Sequence, residues 1–143
     1  MNSVLIDTNV WVDIVLKRPA FFDESMGCVM ACVEDGIGLF VVGTSLKDVF
    51  YWAEKSAGVE AAYRAVSLLL DLAQVATVDE RACRDALSLE RPDYEDGIVA
   101  ACASLEHVDA IVSRDAAAFN DAVMPKYTPA QLIEKLGYVW AEV

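Results

Sequence analysis

Short apolar runs alternate with longer segments of helical periodicity along the chain. The short runs are rich in valine, leucine and isoleucine and have the length of buried strands. The longer segments repeat apolar residues every three or four positions, as the buried face of a helix does. The predicted strands cover residues 3–6, 39–42, 75–78 and 110–113. The predicted helices cover residues 8–16, 21–35, 46–55, 59–73, 80–89, 94–106 and 128–136.

The order of these elements predicts a fold class. Strands that alternate with helices form parallel sheets through right-handed crossovers, with helices on both faces. We therefore expect a Rossmann-like α/β fold with three α/β/α layers around a mostly parallel sheet of about four to five strands. A short helical turn at residues 116–119 and a minor edge strand at 123–124 complete the predicted elements.

Several element boundaries carry residues that favour helix termini. Asp79 precedes one helical segment as an N-cap, and Thr128 followed by Pro129 is typical of the start of another. Gly58 and Gly137 stand where helical periodicity stops. Residues 1–137 form the predicted domain, and residues 138–143 form an apolar tail that adds an edge strand, covers an apolar patch or meets a partner.

The composition suits one folded domain in a reducing compartment. The chain has 143 residues, 56% of them hydrophobic, which is enough for a sizeable core. No apolar stretch approaches the length of a membrane span, and the first residues lack the pattern of a signal peptide, so we expect a cytoplasmic protein without membrane contact. The four cysteines lie among apolar neighbours and are expected to be small buried residues: Cys28, Cys32, Cys83 and Cys102.

The charge balance weighs against an ordinary nucleic-acid-binding surface. The net charge is −12, from 11 lysines and arginines against 23 acidic residues. Phosphate backbones bind basic surfaces, so a nucleic-acid role requires local basic residues, bound metal or a basic partner protein. Good solubility explains the same charge equally well.

Four aspartates occupy positions that a β/α fold would bring to one edge. Asp7 and Asp115 follow two predicted strands, whereas Asp48 and Asp96 lie near the starts of two predicted helices. Ligands of such folds bind at the carboxyl edge of the sheet, where these positions meet. Carboxylates without histidine or cysteine are the hard oxygen ligands that Mg²⁺ or Mn²⁺ prefers.

Each acidic position also has a structural explanation. Asp7 and Asp115 are suitable helix caps, and Asp48 would stabilise a helix start through its negative charge. Asp93 and Asp96 have the spacing of a capping box. Only the set, taken together, favours a metal site.

The residues around these acids resemble the motifs of the PIN domain family over nearly the whole chain. The run from Val4 to Val10, V-L-I-D-T-N-V, is similar to the family's opening strand and first acid. The run D-G-I-V-A-A from Asp96 resembles the third acidic motif, and I-V-S-R-D ending at Asp115, followed by Phe119, resembles the fourth. PIN domains are Mg²⁺- or Mn²⁺-dependent ribonucleases that are common as toxins of toxin–antitoxin pairs.

The resemblance implies roles for individual residues. Asp7, Asp48, Asp96 and Asp115 would be catalytic metal ligands, with Glu95 as a possible further ligand and Ser113 orienting a carboxylate, a water or the metal's shell. At the second acid the family most often has glutamate, so Asp48 is one methylene shorter. At the start of the fourth motif it usually has threonine, and Ser113 keeps the hydroxyl.

This resemblance predicts a metal-dependent endoribonuclease that acts on single-stranded or structured RNA. An antitoxin partner and a homodimer are expected with it. The alternatives are a PIN-like domain without nuclease activity that binds RNA or protein, and an acidic-site α/β hydrolase such as a phosphatase.

Two cations and a group of aromatic residues near the proposed ligands leave alternatives open. Lys47 and Arg114 adjoin Asp48 and Asp115, where they either compensate the acidic charge or contact substrate phosphate. Trp52 and its aromatic neighbours are expected in the core or at a dimer surface, with stacking on RNA bases as the alternative.

Overall fold

A five-stranded parallel sheet organises the chain. The computed structural model describes residues 1–88, 93–115, 118–119 and 122–138. Within that part of the chain every neighbouring pair of strands is parallel, and the spatial order is β3-β2-β1-β4-β5. The strands are β1 (Ser3–Ile6), β2 (Gly38–Val42), β3 (Gln74–Ala76), β4 (Ala110–Val112) and β5 (Lys126–Tyr127).

Helices cover both faces of the sheet and confirm the predicted three layers. Successive side chains of a strand point to opposite faces. Val4 and Ile6 therefore join one core, which contains residues of α1 to α4 and α7, whereas Leu5 joins a second core under α5 and α6. The helices are α1 (Thr8–Val15), α2 (Phe22–Glu34), α3 (Ser45–Ala57), α4 (Val59–Leu72), α5 (Glu80–Ser88), α6 (Tyr94–Leu105) and α7 (Pro129–Lys135).

The helix caps follow the sequence signals at two starts. The side chain of Thr128 accepts a hydrogen bond from the Gln131 backbone N–H, and the Gln131 side chain accepts one from the Thr128 backbone N–H, which makes a capping box. Asp79 accepts from the Ala82 backbone N–H at 2.9 Å. Gly58 separates α3 from α4 with a φ of 92°, a conformation in which glycine is not strained.

The prediction of an edge strand at residues 123–124 is wrong. Val123 is 92% exposed, and the edge strand β5 begins three residues after it, at Lys126. The Ile111 N–H donates to the carbonyl of Pro125, and the Ser113 N–H donates to that of Tyr127. The backbone pairing with β4 therefore places the edge strand at Lys126 and Tyr127, whose side chains carry no strand-like hydrophobic pattern, and not at the apolar residues Val123 and Met124.

Three other predictions, for the cysteines, the helical turn and the C-terminal tail, can be compared with the structure only in part or are only partly confirmed. Cys28, Cys32 and Cys102 are buried free thiols, whereas Cys83 on α5 is half-buried. The predicted helical turn at 116–119 lies partly outside the described residues, and all of the tail after Tyr138 lies outside them. No helix in the described part of the chain is both long and apolar enough to cross a membrane.

Candidate acidic site at the carboxyl edge of the sheet

The ends of two neighbouring strands place Asp7 and Ser113 side by side. Ile6 of β1 pairs with Val112 of β4, so the residues that follow them leave the sheet together. The Ser113 hydroxyl donates a hydrogen bond of 2.9 Å to Oδ2 of Asp7. The other carboxylate oxygen accepts from the Thr8 N–H at 2.8 Å, so Asp7 also caps α1. Both Asp7 oxygens are therefore held by donors from this chain.

Asn9 completes this arrangement and received no role from the sequence reasoning. Its amide nitrogen donates to the Ser113 oxygen at 3.3 Å, and its amide oxygen accepts from the Arg114 backbone N–H at 3.2 Å. The Asp115 N–H donates to the same Ser113 oxygen at 3.1 Å. Ser113, which is fully buried, thus connects the loop after β4 to the first turn of α1.

Asp96 reaches the site from the first turn of α6. Asp93, rather than Asp96, provides the helix cap by accepting from the Glu95 N–H at 2.9 Å. The Asp96 side chain lines a cavity of about 430 Å³ together with Asp7. The lining residues are Asp7, Thr8, Asn9, Val12, Arg18, Asp48, Trp52, Glu95, Asp96 and Val99. Three of the four proposed aspartates and the additional Glu95 therefore share one cavity.

The acids act on each other electrostatically. Burial, followed by the negative charges of Asp93 and Asp7, raises the pKa of Asp96 from 3.8 to about 6. Asp115 and Glu95 act on it in the same direction. A raised pKa from burial and like charges marks carboxylates that an added cation would stabilise.

The Asp7 carboxyl responds in the same way. Burial raises its pKa above 3.8, the hydrogen bonds from Ser113 and Thr8 lower it, and the charges of Glu95 and Asp115 raise it again. The net direction is upward. Asp115 is exposed and does not line the cavity, yet it lies near enough to act on the half-buried carboxyls of Asp7 and Asp96.

Asp48 stands apart from the other acids. It lines the cavity from the first turn of α3, where the Lys47 ammonium contacts its Oδ1 at 2.8 Å. Lys47 thus compensates Asp48, which is one of the two roles expected for that lysine. Trp52, from the same helix, lines the cavity at 40% exposure and is not a core residue.

The donor set fits a divalent cation in its chemistry. The acids at this edge offer hard oxygen ligands, and the raised pKa values of Asp7 and Asp96 favour a neighbouring positive charge. In the described residues, no three histidine, cysteine, aspartate or glutamate side chains close around a single point as they lie. The fit therefore rests on ligand type and charge.

A family model described as PIN domain matches residues 3–117. The chain belongs to the PIN domain family. This match covers β1 through β4 and includes the elements that carry all four aspartates. The sequence matches no curated protein at a significant level.

Solved structures share the fold of this PIN domain at low sequence identity. VapBC2 from Rickettsia felis, bound to a promoter DNA fragment, aligns with a TM-score of 0.67 and 14% identity over 88% of this chain and 98% of that one. A toxin–antitoxin complex from Klebsiella pneumoniae aligns with a TM-score of 0.67 and 18% identity, covering 88% and 97%. VapC20 from Mycobacterium tuberculosis, a toxin that cleaves the sarcin–ricin loop, aligns at 0.67 and 13%, covering 85% and 95%.

Arg114 has a partner that the sequence reasoning missed. Its guanidinium contacts Asp13 of α1 through two hydrogen bonds, at 2.8 and 3.3 Å. Asp13 is fully buried, and Arg18 also contacts it at 3.3 Å. The signal for this residue was a carboxylate inside the apolar run V-W-V-D-I-V, because a buried charge requires a partner.

Proposed function

We propose that this PIN domain is a divalent-metal-dependent endoribonuclease that hydrolyses RNA phosphodiester bonds. The observation that carries the proposal is the shared cavity of Asp7 and Asp96, in which burial and like charges raise both pKa values. Membership of the PIN family adds the reaction class. Carboxylates that raise each other's pKa need a neighbouring cation if they are to be ionised together at neutral pH.

Asp7, Asp96 and Asp115 are the proposed ligands of Mg²⁺ or Mn²⁺, with Asp48 and Glu95 as additional oxygen donors at the cavity. Such an ion lowers the pKa of a bound water and offsets negative charge on the phosphate. Ser113 holds one Asp7 oxygen and the Asp115 N–H, so it fixes the relation between two of the ligands.

We propose further that the protein is the toxin of a toxin–antitoxin pair, cytoplasmic and homodimeric. The support is the fold that it shares with a Klebsiella toxin–antitoxin complex and with FitAB bound to a DNA fragment, the latter at a TM-score of 0.64 and 17% identity. Induced expression in a bacterial host should arrest growth, and the Asp96→Asn chain should not. Equal growth with both chains would contradict the toxin role.

Cleavage of a fluorogenic single-stranded RNA tests the nuclease proposal. Activity should require Mg²⁺ or Mn²⁺, stop in EDTA, and fall on the order of 100-fold or more in Asp7→Asn and Asp96→Asn, since even outer-shell changes at metal sites cost 10- to 100-fold. Asp71→Asn on the exposed face of α4 removes the same charge outside the cavity and should match the parent. Metal-independent cleavage, or equal activity in all variants, would overturn the proposal.

The second candidate is a PIN domain without nuclease activity that binds RNA or protein. The ion pair between Lys47 and Asp48 favours it, because it engages one proposed donor. RNA binding without cleavage in either metal would establish this alternative. A metal-dependent phosphatase activity without RNA cleavage would support an acidic-site hydrolase instead.

A further inference from the structure

The carboxylate of Asp13 contacts two arginines, one of which lines the acidic cavity. Asp13 is fully buried, and both Arg18 and Arg114 contact it. We propose that Arg18 is the residue that binds a phosphate of the RNA strand in the cavity, and that Asp13 holds it there. The inference rests on the proposed ribonuclease function and names the substrate contact of the same site.

The charges of this group do not cancel. One carboxylate neutralises one guanidinium, so two arginines leave one positive charge in excess. Arg114 takes the better position, with two hydrogen bonds to Asp13 at 2.8 and 3.3 Å. Its Cζ also lies 4.0 Å from the centre of the Phe21 ring, which covers one face of the guanidinium. The buried carboxylate is therefore satisfied by Arg114.

The guanidinium of Arg18 has hydrogen-bond donors that Asp13 does not use. Its contact to Asp13 is a single one, from Nη1 to Oδ1 at 3.3 Å, and its side chain is 36% exposed. Within the described residues no other side-chain nitrogen of Arg18 makes a hydrogen bond. A guanidinium offers five donors in a planar fork that matches phosphate oxygens, so most of this capacity remains open.

The position of Arg18 is set by its backbone. Its N–H donates to the Asp13 carbonyl at 3.1 Å, and its own carbonyl accepts from the N–H groups of Phe21 and Phe22 at 3.0 and 2.8 Å. These bonds fix the turn between α1 and α2. A fixed backbone leaves only the side-chain rotamers of Arg18 to be ordered when a ligand binds.

Arg18 is the one cationic residue among the described residues that line the acidic cavity. The same cavity holds Asp7, Asp96 and Glu95, whose charges repel a polyanion. A strand that enters it needs a positive contact that these acids do not neutralise. Arg18 meets that need because its own carboxylate partner is already shared with Arg114.

Steady-state cleavage kinetics of Arg18→Gln, Arg18→Lys and the control Arg84→Gln test this proposal. Arg84 is exposed on α5 and pairs with Glu80, so the control removes one charge outside the cavity. Arg18→Gln should raise KM about tenfold, the size of a charge-assisted hydrogen bond, with kcat close to that of the parent. The KM of Arg18→Lys should lie between those of the parent and Arg18→Gln, because lysine keeps the positive charge and loses the planar fork of donors.

The salt dependence of RNA binding provides a second readout, measured by anisotropy in the cleavage-defective Asp96→Asn background. Loss of one phosphate contact should reduce the slope of log Kd against log salt by about 0.7. The stabilisation of Arg18→Gln by Mn²⁺ should equal that of the parent, since the acids are unchanged.

The possible failures are distinguishable. Parent-like KM and salt slope in Arg18→Gln overturn the phosphate contact while the ribonuclease proposal stands. A lower melting temperature with a reduced kcat and an unchanged KM gives Arg18 a structural role and also overturns it. A parent chain that neither cleaves nor binds RNA overturns both proposals.

Discussion

The hydroxyl of Ser113 donates a hydrogen bond of 2.9 Å to the Asp7 carboxylate across 106 residues of sequence. The same oxygen accepts from the Asp115 N–H, so one small side chain connects two proposed metal ligands. The contact exists because β1 and β4 are neighbours in the sheet and end at the same level.

Ser113→Ala is therefore expected to impair both the site and the fold. Cleavage of a fluorogenic RNA should fall about 10- to 100-fold, as for the loss of an outer-shell partner of a metal ligand. The free energy of unfolding in urea should fall by about 1–3 kcal/mol, because Asp7 loses a donor and the partly buried N–H groups of Asn9 and Asp115 lose their acceptor. Ser104→Ala, at an exposed position of α6, should match the parent in both assays. Parent-like cleavage in Ser113→Ala would remove the positioning role.

The stability of the metal-free protein should fall as the pH rises through the raised pKa values of Asp7 and Asp96. The pKa of Asp96 is raised from 3.8 to about 6, so its charged form is disfavoured in the folded state. Its contribution to stability is complete below about pH 3.8 and is lost as the pH rises through about 6. The pKa of Asp7 is raised in the same direction and adds to the loss.

Melting temperatures measured in EDTA between pH 4 and pH 8 test the direction of this pH dependence. The ionic strength is held fixed, with salt on the order of 0.1 M, to screen the surface charge. The parent should lose more stability than Asp96→Asn over this range, whereas Asp71→Asn should follow the parent. Mn²⁺ should stabilise the parent more at pH 7 than at pH 5. Identical pH profiles for the parent and Asp96→Asn would refute the electrostatic account.

Asp48 should tolerate substitution better than Asp96. Its carboxylate contacts the exposed Lys47 at 2.8 Å, and an exposed ion pair contributes little to stability. We expect Asp48→Glu to keep the cleavage rate and Asp48→Asn to lose less than about tenfold, against the larger loss proposed for Asp96→Asn. Measured kcat/KM values decide this. An Asp48→Asn chain as inactive as Asp96→Asn would make Asp48 a full member of the ligand set.

Replacing Asp13 should destabilise the fold far more than replacing an exposed aspartate. Asp13→Asn leaves Arg18 and Arg114 without their carboxylate, and the loss of hydrogen bonds to a buried charged group costs about 1.5–3 kcal/mol. Asp85→Asn, which breaks an exposed contact of 3.8 Å to Arg81, should change the free energy of unfolding by less than about 1 kcal/mol. Urea unfolding of the two variants measures the difference, and equal midpoints would contradict it.

Local patterns were sufficient for most of the fold. Buried strands and amphipathic helices leave their own periodicities, so the first four strands and all seven described helices were found near their observed bounds. The edge strand was misplaced because Lys126 and Tyr127 pair through backbone bonds to β4, which no side-chain pattern records. The position of Asp7 directly after β1, and of Ser113 after β4, likewise followed from the strand pattern.

Contacts between distant segments needed the folded chain. Asp13 was visible as a charge in an apolar run, but its partner Arg114 lies 101 residues away. Asn9 was visible within the opening motif, but its bonds to Ser113 and Arg114 depend on the order of strands in the sheet. A side-chain pattern carries information over one or two turns of helix and none about such pairings.

The sequence by itself determined the α/β class, the parallel layers and the placement of the acids at element ends, because these follow from local periodicity and capping chemistry. The tertiary structure alone decided which acids share a cavity and that Arg18 is the cation that lines it with Asp7 and Asp96. Those outcomes depend on distances through space between residues far apart in the chain. Charge interactions and burial act over those distances, and they set the pKa values on which the proposed chemistry depends.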